Sequence, residues 1–131
     1  MIRFVIPGAA VGKGRARIAP GSMRPYTPKA TVNYEAVVKL AAETAMAGRE
    51  PLEGPLALRV TVLKSVPVSW AAKKRQASDW VTSKPDLDNV VKALKDGMNR
   101  IVYGDDAQIA SLFAVKRYAD QDMVVIEVER L

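Results

Sequence analysis

Asp86 and Asp88 stand two residues apart in the run Lys84-Pro85-Asp86-Leu87-Asp88-Asn89, just ahead of an apolar-periodic segment. Lys92 and Asp96 follow at one-turn intervals, and Asp105-Asp106 come after Tyr103-Gly104. In extended backbone, residues two apart point to the same side. Two carboxylates held that way repel and raise each other's pKa unless a cation sits between them. Four carboxylates around one helix, in a chain of positive net charge, therefore read as an oxygen-donor site for a divalent metal. A simpler reading makes Asp88 the N-cap, Asp86 a partner of the helix dipole, and Asp105-Asp106 an acidic turn. Lys92 is likewise either one rung of an exposed i,i+4 ion-pair ladder or an ammonium beside the metal. Both pairs of readings stay open at this level.

Composition narrows the chemistry. The chain has 131 residues, 49% hydrophobic and 26% charged, which suits one globular domain. It has no Cys and no His. A disulfide, a Cys/His zinc site and a Ser-His-Asp or Cys-His nucleophile are all excluded. Any metal must bind oxygen, which favours Mg²⁺, Mn²⁺ or Ca²⁺. No apolar run approaches a membrane span, and the first residues do not read as a signal peptide.

The net charge of +6 is local. Residues 1–34 contain Arg3, Lys13, Arg15, Arg17, Arg24 and Lys29 and no acid, whereas the rest of the chain is balanced. Such an excess points to a polyanionic partner. Arg15, Arg17 and Arg24 sit among glycines, which suits close approach to phosphates. Lys73-Lys74-Arg75 form a second basic group. Gly8 to Gly14 looks like a phosphate-binding P-loop, but it has three residues between the glycines and lacks the Ser or Thr. Tyr103-Gly104-Asp105-Asp106 is reminiscent of a palm-type polymerase turn, in a chain too short for a polymerase.

The elements that must position these residues follow from pattern. Arg3–Ile6 reads as a strand ended by Pro7-Gly8, and residues 8–26 as a long mobile loop. Thr27-Pro28 offers an N-cap and a first-turn proline for a helix with Tyr34, Val37, Val38, Ala41 and Ala45 inward, closed by Gly48. Residues 56–63 alternate as a half-buried strand. Ser69 caps a short helix over 70–77, and a helix over 88–99 buries Val90, Val91, Leu94 and Met98. Ile109–Tyr118 and Met123–Arg130 read as strands joined as a hairpin through Ala119–Asp122. The expectation is one α+β domain over 1–131, in the order β-α-β-short α-α-β-β. A helix of about 11 residues is roughly 16 Å long. Asp86 and Asp106 therefore meet only if the chain doubles back, or if a two-fold dimer joins them.

Gly12-Lys13-Gly14-Arg15, Tyr26-Thr27-Pro28-Lys29, the 84–89 block with Lys92, and Tyr103-Gly104-Asp105-Asp106-Ala107-Gln108-Ile109 together resemble the RusA family of Holliday-junction resolvases. The match runs in order from about residue 3 to the C-terminus. The resemblance implies a small mixed sheet with two main helices, and a homodimeric, Mg²⁺-dependent endonuclease that nicks four-way DNA junctions in pairs. It makes Asp86, Asp88 and Asp106 metal ligands and Lys92 the catalytic lysine, with Asp96 and Asp105 as secondary acids. Lys13, Arg15, Arg17, Arg24, Lys29, Lys73, Lys74 and Arg75 are the expected DNA contacts. The implied setting is the bacterial cytoplasm, with a host or phage origin. The alternatives are a non-catalytic binder of branched DNA and another Mg²⁺ nuclease of PD-(D/E)xK type, although no Glu/Asp-x-Lys follows on a strand.

Overall fold

The alternating row Leu56, Leu58, Val60, Val62 places an apolar side chain on one face at every second position, and all four are buried. This is the centre of the sheet. The computed structural model describes residues 1–70 and 79–131. Its elements are β1 (Ile2–Pro7), β2 (Arg17–Ile18), β3 (Pro25–Tyr26), α1 (Lys29–Met46), β4 (Leu56–Ser65), α2 (Leu87–Met98), β5 (Ile109–Ala119) and β6 (Met123–Arg130). A 3₁₀ turn at Asp106–Gln108 precedes β5.

The main sheet has the order β1-β6-β4-β5. β6 runs antiparallel to both neighbours, and β4 pairs with β5 in parallel. Ile2, Phe4 and Ile6 of β1, and Val124, Ile126 and Val128 of β6, join the β4 row in one core with the inner faces of α1 and α2. The helices cross where Gly97 meets α1. A Cβ there would stand 2.7 Å from Val38 Cβ and 3.2 Å from the Glu35 carbonyl, so glycine permits the close approach. On the opposite face of the sheet, Arg3, Glu127, Arg59 and Phe113 form a cross-strand row, with the Arg59 guanidinium 4.7 Å over the Phe113 ring.

The α+β class, the two main helices and the mixed sheet agree with the sequence reading. The hairpin does not. β5 and β6 flank β4 instead of pairing with each other. Two apolar runs joined by a short polar link carry the local signal of a hairpin. The competing demand is global: β4 is buried along its whole inner row and needs a ladder on both edges. The link must cross about 9.6 Å, two strand spacings, which four extended steps reach. Asp122 fixes the crossing. Its Oδ1 accepts from Ser65 N at 2.8 Å at the end of β4, and its carbonyl accepts from Gly8 N at 3.2 Å.

Two helix details also change. Pro28 takes the N-cap position of α1 without any side-chain cap, so Thr27 does not play that part. The inward stripe of α1 is Thr31, Tyr34, Val38, Ala42 and Met46, leaving Val37 exposed. Ala47 and Gly48 both adopt positive φ where the helix ends. The short helix expected over 70–77, with Lys73, Lys74 and Arg75, falls almost wholly outside the described residues. No helix among the described residues is long and apolar enough to cross a membrane.

Candidate functional site

Two lysines from adjacent strands hold the segment that leads into α2. Lys64 of β4 donates to Ser83 Oγ at 3.0 Å and to the Lys84 carbonyl at 3.3 Å. Lys116 of β5 donates to the Ser83 carbonyl at 2.8 Å and the Pro85 carbonyl at 3.0 Å. Between them they fix Asp86 at the N-cap of α2 in extended conformation. Its carboxylate makes no capping hydrogen bond and instead accepts from Lys84 Nζ at 2.9 Å. That ammonium, with a smaller contribution from Lys116, holds the Asp86 carboxyl below the usual carboxylate range. Asp88 is already the second residue of the helix, so the pair is not the extended dyad that the spacing suggested, and Asp88 is not the cap.

A groove of about 870 Å³ runs between α2 and the β5 edge. Asp88, Lys92, Lys95 and Asp96 line its helix side, Leu112 and Ala114 its strand side, and Asp106 of the 3₁₀ turn also borders it. The chain does double back: Asp88 and Asp106 open onto the same groove, while Asp86 is not part of its wall. Asp88 and Asp96 are about 12 Å apart along the helix axis. Burial, then the charges of Asp106 and Asp96, push the Tyr103 phenol pKa upward. Among the described residues no three carboxylates gather closely enough to hold a metal ion. The donors are all oxygens, however, and Mg²⁺ keeps several waters and needs only one or two protein carboxylates plus phosphate oxygens. The donor chemistry fits a hard cation.

Lys92 is exposed on the groove side and belongs to none of the ion pairs among the described residues. The ion-pair ladder is therefore not formed; Asp96 bonds Lys13 instead, at 3.0 Å. Asp105 and Asp106 have separate tasks. Asp105 accepts from Ala107 N at 3.0 Å, and Gln108 Oε1 accepts from Asp105 N at 3.0 Å, a reciprocal capping box. The Ala107 N–H holds the Asp105 carboxyl below its ordinary range. Asp106 faces the groove. Asp105→Asn, which keeps the capping acceptor, should accordingly leave any groove activity near the wild-type rate, whereas Asp105→Ala should lower the melting temperature. A loss of activity in a fully folded D105N protein of wild-type melting temperature would show that the Asp105 charge acts in the groove.

The basic loop divides in the same way. Arg15, Arg17 and Arg24 are exposed, as is Lys29 at the start of α1, and Arg17 and Tyr26 pair in the small β2–β3 hairpin. Lys13 is different. Its ammonium lies 2.6 Å from Glu35 and 3.0 Å from Asp96, and Glu35 chiefly holds its pKa above the usual lysine value. The Gly12-Lys13-Gly14 stretch is wedged between the helices, so its likeness to a P-loop is one of composition only.

Lys64, Lys116 and Lys95 escaped the sequence reading. Lys116 had a visible signal: it follows Leu112 and Ala114 at the parity of the inward face, where a charge needs a partner. Lys64 had none, because a charged residue near a strand end is ordinary.

Fold and groove together define a class: small α+β domains, helices on one face of a mixed sheet, with carboxylates and lysines set beside a cationic loop. A profile of the RusA endodeoxyribonuclease family matches residues 7–129. The chain belongs to that family. It is also similar to an uncharacterized Bacillus subtilis protein, YqaN, at 30% identity over 99% of this chain and 96% of that protein. A crossover junction endodeoxyribonuclease of Lactococcus phage r1t is 37% identical over 75 residues, 56% of this chain and 53% of the phage protein.

Proposed function

We propose that this protein is a Mg²⁺-dependent endodeoxyribonuclease that resolves four-way DNA junctions by paired nicks, acting as a two-fold dimer on DNA in the bacterial cytoplasm. One observation supports it above the others: Asp88, Asp106 and Lys92 share a groove, and the acid-free loop is docked beside it. Membership of a junction-endonuclease family adds to it. Asp88 and Asp106, the carboxylates that face the groove, would hold the metal, with waters and phosphate oxygens completing its shell. Asp86 would add negative charge at the helix start, and Mn²⁺ would serve as a substitute. When bound, Mg²⁺ supplies a Lewis acid for the phosphoryl oxygen and a water of lowered pKa, chemistry that needs no histidine. Lys92 neutralises charge developing on the phosphate. Arg15, Arg17, Arg24 and Lys29 grip the backbone without reading sequence, so affinity should fall steeply with salt. A dimer presents two such grooves, matching two symmetric cuts.

The second reading is a binder of branched DNA without catalysis. The lack of a three-carboxylate cluster among the described residues favours it. One experiment separates the two: incubate a synthetic four-way junction and a matched linear duplex with the protein, with Mg²⁺ and with EDTA. Paired nicks in the junction alone, abolished by EDTA, are the expected result. A gel shift without product under every metal condition would leave only the binder.

A further inference from the structure

Gly12-Lys13-Gly14 meets both helices at once. Lys13 N donates to the Asn89 carbonyl of α2 at 2.8 Å, and Gly14 N donates to Thr31 Oγ1 of α1 at 2.9 Å. Thr31 is 2% exposed, so its hydroxyl is committed to this junction. Space is equally tight. A Cβ on Gly12 would stand 3.2 Å from Asn89 Cβ, and one on Gly14 2.8 Å from the Pro28 ring. Lys13 Nζ then bridges Glu35 of α1 and Asp96 of α2. Asn89 and Asp96 also line the groove.

We propose that Lys13 is a positioning residue, the pin that fixes the basic loop to the acidic groove, and not a phosphate ligand. Two carboxylates already take its ammonium at 2.6 and 3.0 Å. Turning the ammonium outward to a phosphate would leave Glu35 and Asp96 facing each other uncompensated. Two residues later the exposed run of Arg15 and Arg17 begins, and the loop returns to α1 at Pro28. Both ends of the arginine-bearing loop are thus tied to the N-terminal end of α1. Ordering that loop on DNA costs less entropy than ordering a free one. The same bridge has a second consequence: the Asp96 carboxylate is engaged by Lys13, which leaves Asp88 and Asp106 as the groove's available acids.

This inference rests on the DNA-binding reading, and charge arithmetic makes it testable. Glu35→Gln removes a negative charge, so simple electrostatics predicts tighter DNA binding. The pin predicts the opposite. Junction affinity, measured without Mg²⁺, should fall about tenfold in E35Q, the value of one or two charge-assisted contacts. The slope of log K against log salt should become shallower by about one to two, as the loop arginines lose phosphates. Glu43→Gln, further along α1, is the charge-matched control and should bind as well as wild type or better. In the free protein, trypsin should cut after Arg15 and Arg17 faster in E35Q than in E43Q. Lys13→Met should be at least as impaired as E35Q, because it also leaves Glu35 and Asp96 uncompensated. The K13M/E35Q double variant should be no worse than K13M, since the two changes act on one bridge.

If E35Q binds as tightly as E43Q, with wild-type trypsin resistance, Lys13 is not a pin and the proposal fails. If K13M does not fold, E35Q decides alone. A wild-type protein that binds no branched DNA overturns the nuclease reading, and the trypsin comparison still judges the pin.

Discussion

Asp88→Asn and Asp106→Asn should each reduce Mg²⁺-dependent junction cleavage by more than about 100-fold, because losing even an outer partner of a metal ligand typically costs 10- to 100-fold. Binding measured in EDTA should be unchanged or tighter. Both side chains line the groove, and removing a negative charge near incoming phosphates lowers repulsion. Asparagine keeps the shape and one oxygen, so folding should survive. Asp86→Asn shares the expectation, with an added handle. Its carboxylate bonds Lys84 at 2.9 Å and shows no cap to lose, so a loss of cleavage in a folded D86N protein would come from the missing charge and not from a broken helix cap. The readout is single-turnover nicking of a labelled junction, with melting curves for each variant. D88N and D106N proteins that bind the junction and cut it at the wild-type rate would falsify the assignment of the groove as the catalytic site.

Much of this arrangement is legible in the amino-acid sequence. The alternation in residues 56–63 is a period-two signal, and it correctly marks the buried row of β4. Val90, Val91, Leu94 and Met98 mark the inner face of α2 at helical spacing. The aspartate block leads to the groove only in part: Asp88 lines it, whereas Asp86 sits at the N-cap outside its wall. What stays hidden is non-local. No local pattern says that β4 inserts between β5 and β6, since pairing partners are chosen by the burial of the whole sheet. The partners of Lys13 lie 22 and 83 residues away on two different helices, so its charge is legible in the sequence and its ion pairs are not. Asp105 and Asp106 are adjacent and chemically identical. Only the backbone at the 3₁₀ turn decides which one caps and which one faces the groove.

Tyr103 is where stability and site geometry meet, and Tyr103→Ala should be the most destabilising single change discussed. The side chain is fully buried, and its hydroxyl donates to the Lys95 carbonyl at 2.9 Å. That carbonyl is one of the four that a helix C-terminus leaves without an in-helix partner. The Asp96 carbonyl is taken by Asn99 N and the Met98 carbonyl by Ile101 N and Val102 N, so the tyrosine completes a near-full accounting. Burial, then the charges of Asp106 and Asp96, push the phenol pKa far upward, so it stays protonated and remains a donor. Deleting a buried aromatic ring costs about 3–5 kcal/mol. Against a usual total of about 5–15 kcal/mol, that leaves Y103A close to unfolding. Tyr103→Phe keeps the ring and loses only the hydrogen bond, about 1 kcal/mol. It also frees the turn that leads through Gly104 to Asp106, so cleavage should drop further in Y103F than its small stability loss implies. Urea unfolding of both variants, with nicking rates for Y103F, checks this. A Y103A protein within about 1 kcal/mol of wild type would mean that the ring is not part of the core. A Y103F protein with full activity would mean that the hydroxyl does not hold Asp106 in register with the groove.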